Sequence, residues 1–290
     1  MRSVTTTPLV RRIISLPLLW LLAGFLGAAL IWYAPGFTVD ERELDTRLTA
    51  DSVAALRQER EGKGSLGAYY LSFTLGFLSG DFGQSRTLGR PVRELLKDRI
   101  PVTARLAGWG LLGAWLAALA AALAPVAWPG YGLRTATALA GGVVLSIPAA
   151  LVALIFLHGN WPREVAVAVV LFPRLHNYCS RTIDQAQGLP HVLLARANGT
   201  RPVSLLLRHI LAPALPQLIA LCGVSVSMAI GVCIPLEVLC DVPGIGQLAW
   251  QSAMGRDLAV LVTLTLLTAA VTLTANLTAD LTLLGLGDRA

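Results

Sequence analysis

Residues 195–216 read ARANGTRPVSLLLRHILAPALP and separate two strongly apolar stretches of the chain. This segment carries Arg196, Arg201 and Arg208, although only 14% of the whole chain is charged and 55% is hydrophobic. It also contains four residues that favour turns or helix starts, namely Gly199, Pro202, Pro213 and Pro216. If the flanking apolar stretches cross a membrane, residues 195–216 form a structured loop between them.

The composition of the chain indicates an integral membrane protein. A mean hydropathy of +0.66 over 290 residues exceeds what a soluble chain needs to fill a core and cover itself with polar surface. A helix that crosses a bilayer needs about 20 mostly apolar residues, because lipid offers backbone groups no hydrogen-bond partners. Five segments meet that length, at approximately 13–34, 106–127, 135–157, 214–238 and 258–284.

A sixth segment, between Trp161 and Arg181, is a weaker candidate because its apolar run extends only from Val165 to Phe172. The distribution of arginines favours counting it as a span. Three of them, Arg2, Arg11 and Arg12, precede the first span and place the N-terminus in the cytoplasm. Five more, opposed by the single acid Asp184, are Arg174, Arg181, Arg196, Arg201 and Arg208. With six spans these five fall inside the cell, as the positive-inside rule requires.

The predicted fold is therefore an all-α polytopic membrane protein of about six transmembrane helices. Residues 1–34 form the cytoplasmic N-terminus and first span, 35–100 an external insert with short helices, and 101–290 a membrane core. Within the insert, Thr49 and Asp51 precede a helical pattern as candidate caps. The loop at about 184–213, between the fourth and fifth spans, is cytoplasmic, and both chain termini are inside.

This loop has the pattern of two short helices. Residues 193–198 favour the first helix, and Gly199 permits the left-handed turn that ends it. Pro202 is suited to begin a second helix, which we expect to end before Pro213. Such a hairpin offers another protein a stiff surface on which to act.

The residues that carry chemistry in enzymes are scattered. The four cysteines lack a paired C-x-x-C spacing, and the four histidines have no second ligand at i+4, so no metal site or cofactor is expected. The Gly-Lys pair at 62–63 lacks both the earlier glycine and the following Ser or Thr of a phosphate-binding P-loop. The sequence therefore predicts a transport subunit without an ATPase site of its own, and no nucleic-acid partner.

The segment GTRPVSLLLRHILAPALP resembles the cytoplasmic coupling loop of binding-protein-dependent ABC transporter permeases, in particular the dipeptide, oligopeptide and nickel permease family. The likeness extends over some 250 residues in the same order. It includes a Ser-Ile-Pro signature at 146–148 and an external turn with the family's Glu, Pro-Gly-x-Gly and Arg-Asp positions. In this chain those positions are Glu237, Pro243, Gly244, Gly246, Arg256 and Asp257.

The resemblance implies a permease subunit of an ABC importer in a bacterial inner membrane, forming half of a translocation path for peptides or a related small solute. It implies two cytoplasmic ATP-binding subunits, a second permease subunit and an extracytoplasmic substrate-binding protein as partners, in contact with membrane lipid. The residues expected to contact the ATPase are Leu193, Ala195, Arg196, Ala197, Gly199, Arg201, Pro202, Leu205 and Leu206. An ATP-independent secondary transporter is the alternative, although the internal symmetry typical of that class is not visible.

Overall fold

The computed structural model describes residues 6–33, 65–128 and 132–287, and these residues are almost entirely helical. The predicted helix at about 49–61 and the C-terminal residues 288–290 lie outside the described ranges. The helices are α1 (Thr6–Trp32), α2 (Leu66–Leu78), α3 (Val92–Ala127), α4 (Leu133–Ser146), α5 (Ala149–His158), α6 (Arg163–Gln187), α7 (Pro190–Ala197), α8 (Pro202–Ser204), a π segment (Leu205–Leu211), α9 (Ala212–Leu239), α10 (Ile245–Met254) and α11 (Leu258–Gly287). An isolated β-bridge joins Gln84 and Pro91.

Within the described residues, three helical stretches are long and apolar enough to cross a membrane: 92–127, 205–239 and 258–285. The pair α4 and α5 makes a fourth if it is counted as one broken span. The apolar part of α1, Ser15–Leu30, is shorter, and α6 is not among the candidates. Length and composition thus support a polytopic membrane protein, and the number of six spans stays a prediction.

The predicted third span, 135–157, is not one continuous helix. It consists of α4 and α5, which meet at an angle of 88°. The break falls at Ile147, whose backbone is extended, and at Pro148, which precedes α5. Proline has no N–H to donate and disfavours helical dihedrals in the residue before it, so the Ser-Ile-Pro sequence ends one helix and directs the next.

Large apolar side chains cover the outside of these helices. Examples are Leu26 at 53% exposed, Leu116 at 62% and Leu139 at 64%. A soluble protein would rarely expose so many leucines along helices that lack charges. Lipid-facing surfaces explain this distribution, because hydrocarbon solvates such side chains at no cost.

The chain divides into two compact units, of which the first contains residues 1–98 and 248–270. In this unit the indole N–H of Trp20 in α1 donates to the carbonyl of Leu266 in α11, at 2.8 Å. The hydroxyl of Tyr70 in α2 donates to the carbonyl of Leu21, at 2.7 Å. These bonds give two polar atoms a partner between helices that are otherwise apolar.

The second unit contains residues 99–247 and 271–290, and α6 supplies much of its core. One face of α6 is buried and includes Leu171, Leu175, Cys179 and Ile183. Trp115 of α3 donates its indole N–H to Ser225 of α9, at 3.1 Å. The core of this unit is thus built by α6 packed among its neighbours, and the opposite face of α6 stays exposed.

Candidate functional site

The first helix of the predicted coupling loop is α7. It begins at Pro190, three residues before the predicted start, with the proline in the position where its missing N–H costs nothing. It ends in a Schellman motif, in which Thr200 N–H bonds to the Ala195 carbonyl at 3.1 Å and Gly199 N–H to the Arg196 carbonyl at 3.1 Å. Gly199 has φ +70°, so the predicted left-handed turn is confirmed.

The second predicted helix of the loop does not end at Pro213. Instead, α8 continues through the π segment Leu205–Leu211 directly into α9, which extends to Leu239. The prediction of a separate short helix was therefore wrong. Pro213 lies in the first turn of α9, where its missing N–H widens the preceding turn rather than breaking the helix.

A histidine from α7 lies close to the π segment. Pro213 lacks the N–H that would normally reach the carbonyl of His209, four residues earlier. The Nε2 atom of His191 lies 3.2 Å from that carbonyl oxygen, and the two imidazole centroids are 6.3 Å apart. With the proton on Nε2, His191 donates to the acceptor that Pro213 leaves free, which joins α7 to the helix leading into the membrane.

The predicted ATPase-contact residues divide by exposure. Leu193, Arg196, Ala197, Gly199 and Arg201 are exposed on the hairpin formed by residues 190–211. Ala195 and Leu205 are both 7% exposed and pack inside the hairpin, so they hold its two arms together rather than contacting a partner. Leu206 is half-buried, and Pro202 begins α8. The sequence prediction missed three exposed apolar residues, which are Leu194, Val203 and Leu207.

The exposed surface of the hairpin is basic and apolar. Arg196, Arg201 and Arg208 are exposed, and the sequence has no acidic residue from 185 to 236. Just before the hairpin, Asp184 pairs with Arg134 at the start of α4. The loop therefore presents uncompensated positive charge around the leucines.

The first acid of the predicted external turn, Glu237, is completely buried near the end of α9. Its Oε1 accepts the hydroxyl proton of Thr103 at 2.6 Å, and its Oε2 accepts the Gly246 N–H at 2.6 Å. Thr103 Oγ1 in turn accepts the N–H of Ile245 at 2.8 Å. The carboxylate thus satisfies the otherwise unpaired N–H groups at the start of α10, and it sits where the helix dipole favours a negative charge.

The glycines of the turn are required by close packing around this carboxylate. A Cβ atom at Gly244 would lie 2.2 Å from the carboxyl carbon of Glu237, and one at Gly246 would lie 2.5 Å from Cα of Ile234. Pro243 is exposed in the loop between α9 and α10. The Glu and Pro-Gly-x-Gly positions of the sequence motif therefore form one structural clip.

The second acid, Asp257, belongs to the first unit and caps α11. It accepts from Ser85 Oγ at 2.6 Å and from Thr87 N–H at 3.2 Å, and its Oδ1 accepts from Val260 N–H at 3.4 Å. The preceding residue, Arg256, is exposed and has φ +53°. Asp257 therefore fixes the loop containing Ser85 to the start of α11, a role that no spacing in the sequence indicated.

The two acids of the external turn thus perform separate structural tasks. Neither arrangement brings a cluster of catalytic side chains together, and no group of three His, Cys, Asp or Glu among the described residues could hold a metal ion. The described helices define a helical, polytopic membrane protein.

Comparison with known proteins gives the class of that protein. The family described as "Binding-protein-dependent transport system inner membrane component" matches residues 142–289, which is more than half of the chain. The chain belongs to this family and is a multi-pass inner-membrane permease component.

Curated relatives cover most of the chain. It is 27% identical to the oligopeptide transport system permease protein AppB of Bacillus subtilis, over 73% of this chain and 76% of the relative. It is 24% identical to the probable peptide ABC transporter permease protein y4tP of Sinorhizobium fredii, over 94% of this chain and 95% of the relative. It is 27% identical to the oligopeptide transport system permease protein OppB of Escherichia coli, over 70% of this chain and 73% of the relative. These relatives give no support to the alternative of a secondary transporter.

Proposed function

We propose that this chain is one of two permease subunits in an ABC importer of peptides, and that the hairpin at residues 190–211 is its contact with an ATPase subunit. The observation that carries the proposal is a rigid hairpin whose exposed apolar side chains are continuous with a membrane-spanning helix. The peptide cargo is proposed because the relatives are named as oligopeptide or peptide permeases.

The exposed side chains of the hairpin suit a protein interface. Leu193 is 54% exposed, Leu194 63% and Val203 68%, and they are surrounded by arginines. Apolar residues with a charged rim are typical of a docking patch, in which the apolar contacts supply affinity and the rim charges supply orientation. An acidic groove on the ATPase would match this charge.

The hairpin is also suited to transmit force. Because α8, the π segment and α9 form one uninterrupted helical path from Pro202 to Leu239, movement of the hairpin moves the helix it continues into. The Schellman turn fixes the connection between α7 and α8. The contact of His191 with the His209 carbonyl joins α7 to the π segment, so that the two arms of the hairpin move together. ATP-driven closure of the ATPase pair would act on the membrane helices through this connection.

In the proposed topology both chain termini and the hairpin are cytoplasmic, and the turn at 241–257 is external. The hydrogen bonds of Glu237 and of Asp257 would then hold the external loops in the shape that receives a substrate-binding protein. ATP is bound by the separate ATPase subunits, since this sequence has no P-loop.

The test is affinity purification of the tagged chain from its host's membranes, followed by mass spectrometry. The test variant carries Leu194→Asp and Val203→Asp, both on the exposed face of the hairpin. The control is Gln185→Asp, which adds an acid at an exposed position outside the hairpin. We expect the native chain and the control to recover an ATPase and a second permease, and the test variant to lose the ATPase alone. A native chain that recovers no ATPase would contradict the proposal.

A further inference from the structure

The exposed face of α6 carries a polar stripe that the packing of the unit leaves without a partner. Arg174, Asn177, Tyr178 and Arg181 occupy positions i, i+3, i+4 and i+7 of the helix, and all four are exposed. Such spacing places them on one face of the helix. Among the described residues, neither arginine pairs with a carboxylate.

The register between α6 and α3 shows how deep the stripe lies. Glu164 near the start of α6 pairs with Arg105 of α3, at 3.5 Å, and a Cβ atom at Gly110 would lie 2.5 Å from Val167. Further along, the side chain of His176 lies close to the backbone of Ala118. The two helices therefore run in the same direction, and Arg174 lies level with residues 115–117 of α3.

That level is the middle of an uncharged segment. After Arg105, α3 has no charged residue through Ala127, a length of 22 residues or about 33 Å. Arg174 is ten residues beyond Glu164, or about 15 Å along the helix axis. This position is deeper than the sequence predicted, since the charge distribution assigned residues from 174 onward to the cytoplasmic side.

An arginine at this depth excludes lipid as the surroundings of the stripe. Ionised side chains in the middle of a membrane face the protein interior or a water-filled cavity, because their transfer into hydrocarbon is costly. The buried face of α6 is already occupied by the core of the unit. The polar face, with four successive hydrogen-bonding side chains, therefore requires water.

We infer that the stripe lines the aqueous translocation path and that Arg174 and Arg181 attract the anionic part of the cargo, such as the C-terminal carboxylate of a peptide. The inference rests on the proposed transport function and adds a residue-level site to it. Arginine suits this task because its guanidinium binds carboxylates through two parallel hydrogen bonds. Asn177 and Tyr178 add neutral hydrogen-bonding groups between the two charges.

The inference predicts which positions water reaches. Single cysteines at 174, 177 and 181 would be introduced after replacing the four native cysteines, in disrupted membranes that contain the partner subunits. We expect charged methanethiosulfonate reagents to modify all three. The matched control is Leu116→Cys, which lies at the same level on α3 and is 62% exposed but apolar, and we expect it to stay unmodified.

The charge of the stripe is tested with the same reagents. At Asn177→Cys, the anionic ethylsulfonate reagent should react faster than the cationic ethyltrimethylammonium reagent. Arg174→Gln should lower the ratio of the two rates by about tenfold, since a unit charge about 6 Å away in water changes each rate several-fold in opposite directions. Arg174→Lys should preserve the ratio, as should Arg93→Gln, about 33 Å away along α3.

Two results would overturn the inference. The first is a cysteine at 174 or 177 that is as unreactive as the one at 116, which would place the stripe against a helix of the second permease. The second is a rate ratio that does not respond to Arg174→Gln. If the ATPase still copurifies in either case, the proposed function stands and only the assignment of the path fails.

Discussion

The carboxylate of Glu237 lies 2.6 Å from the backbone N–H of Gly246, nine residues later and across the turn from α9 to α10. This bond joins the end of a long apolar helix to the start of the next helix. Because Glu237 is completely buried, its charge is stabilised by the Thr103 hydroxyl and by backbone N–H groups rather than by water. Disruption of this arrangement leaves a buried charge or buried donors unpaired.

Replacement of Glu237 by Gln tests the clip. The amide keeps the shape but directs an NH₂ group toward one of two donors, so we expect a loss of about 1–3 kcal/mol in the free energy of unfolding. Thermal unfolding of the detergent-solubilised chain measures the effect. Glu94→Gln is the control, since Glu94 and its surface partner Arg90 are each at least half exposed and their pair contributes little. Equal losses for the two variants would contradict the buried-clip interpretation.

The close packing at Gly246 gives a second prediction. Gly246→Ala would place a methyl group 2.5 Å from backbone Cα of Ile234, and backbone cannot move aside cheaply. We expect a destabilisation of about 1–3 kcal/mol. Gly231→Ala, in the middle of α9 with no atom within 4 Å of the new Cβ, should instead be neutral or stabilising by up to about 1 kcal/mol. The two unfolding temperatures should therefore move in opposite directions.

A third prediction concerns the link between Asp257 and Ser85. Asp257→Ala removes the acceptor of Ser85 Oγ, Thr87 N–H and Val260 N–H together, so we expect it to cost more than Ser85→Ala, which removes one partner. In a double-mutant cycle the two changes should show a coupling energy of about 0.5–3 kcal/mol. Additive losses would mean that the two side chains act independently.

The hairpin turn gives a fourth prediction. Gly199 has open space around its missing side chain, so only its φ of +70° restricts substitution. Gly199→Asn should be tolerated, because asparagine adopts left-handed dihedrals readily, whereas Gly199→Val should strain or unwind the end of α7. Copurification of the ATPase should be preserved with Asn and reduced with Val. If both variants retain the ATPase fully, the geometry of this turn is not needed for coupling.

The sequence predicted the hairpin well because its signals are local. A left-handed glycine and a proline at a helix start depend only on nearby backbone geometry, and Gly199 and Pro202 behave accordingly. The start of α7 at Pro190 was not predicted. The continuation of α8 into α9 was missed because Pro213 reads as a helix breaker. Proline is tolerated in the first turn of a helix, and here the π segment accommodates it.

The contrast between local signals and distant contacts also explains why the sequence did not reveal the roles of the two acids or the character of the fourth span. Glu237, Asp257 and Ser85 have partners far away in the sequence, which no pattern of neighbouring residues reveals. The helix α6 looked too short as a span because its apolar run is interrupted by Pro173 and Arg174. In the structure it is a 25-residue amphipathic helix, buried on one face and polar on the other.

By itself, the sequence determined that this is a helical membrane protein without a P-loop, and it predicted a hairpin on the cytoplasmic side. Apolar length, arginine distribution and turn residues follow from the solvation of single segments. Only the tertiary structure decided that the two acids of the predicted external turn are held by hydrogen bonds to distant residues, that the predicted third span is bent at Pro148, and that Arg174 of α6 lies beside the middle of the uncharged part of α3. Those properties depend on which helices pack together and in what register. Packing over long sequence separations, rather than local solvation, sets that register.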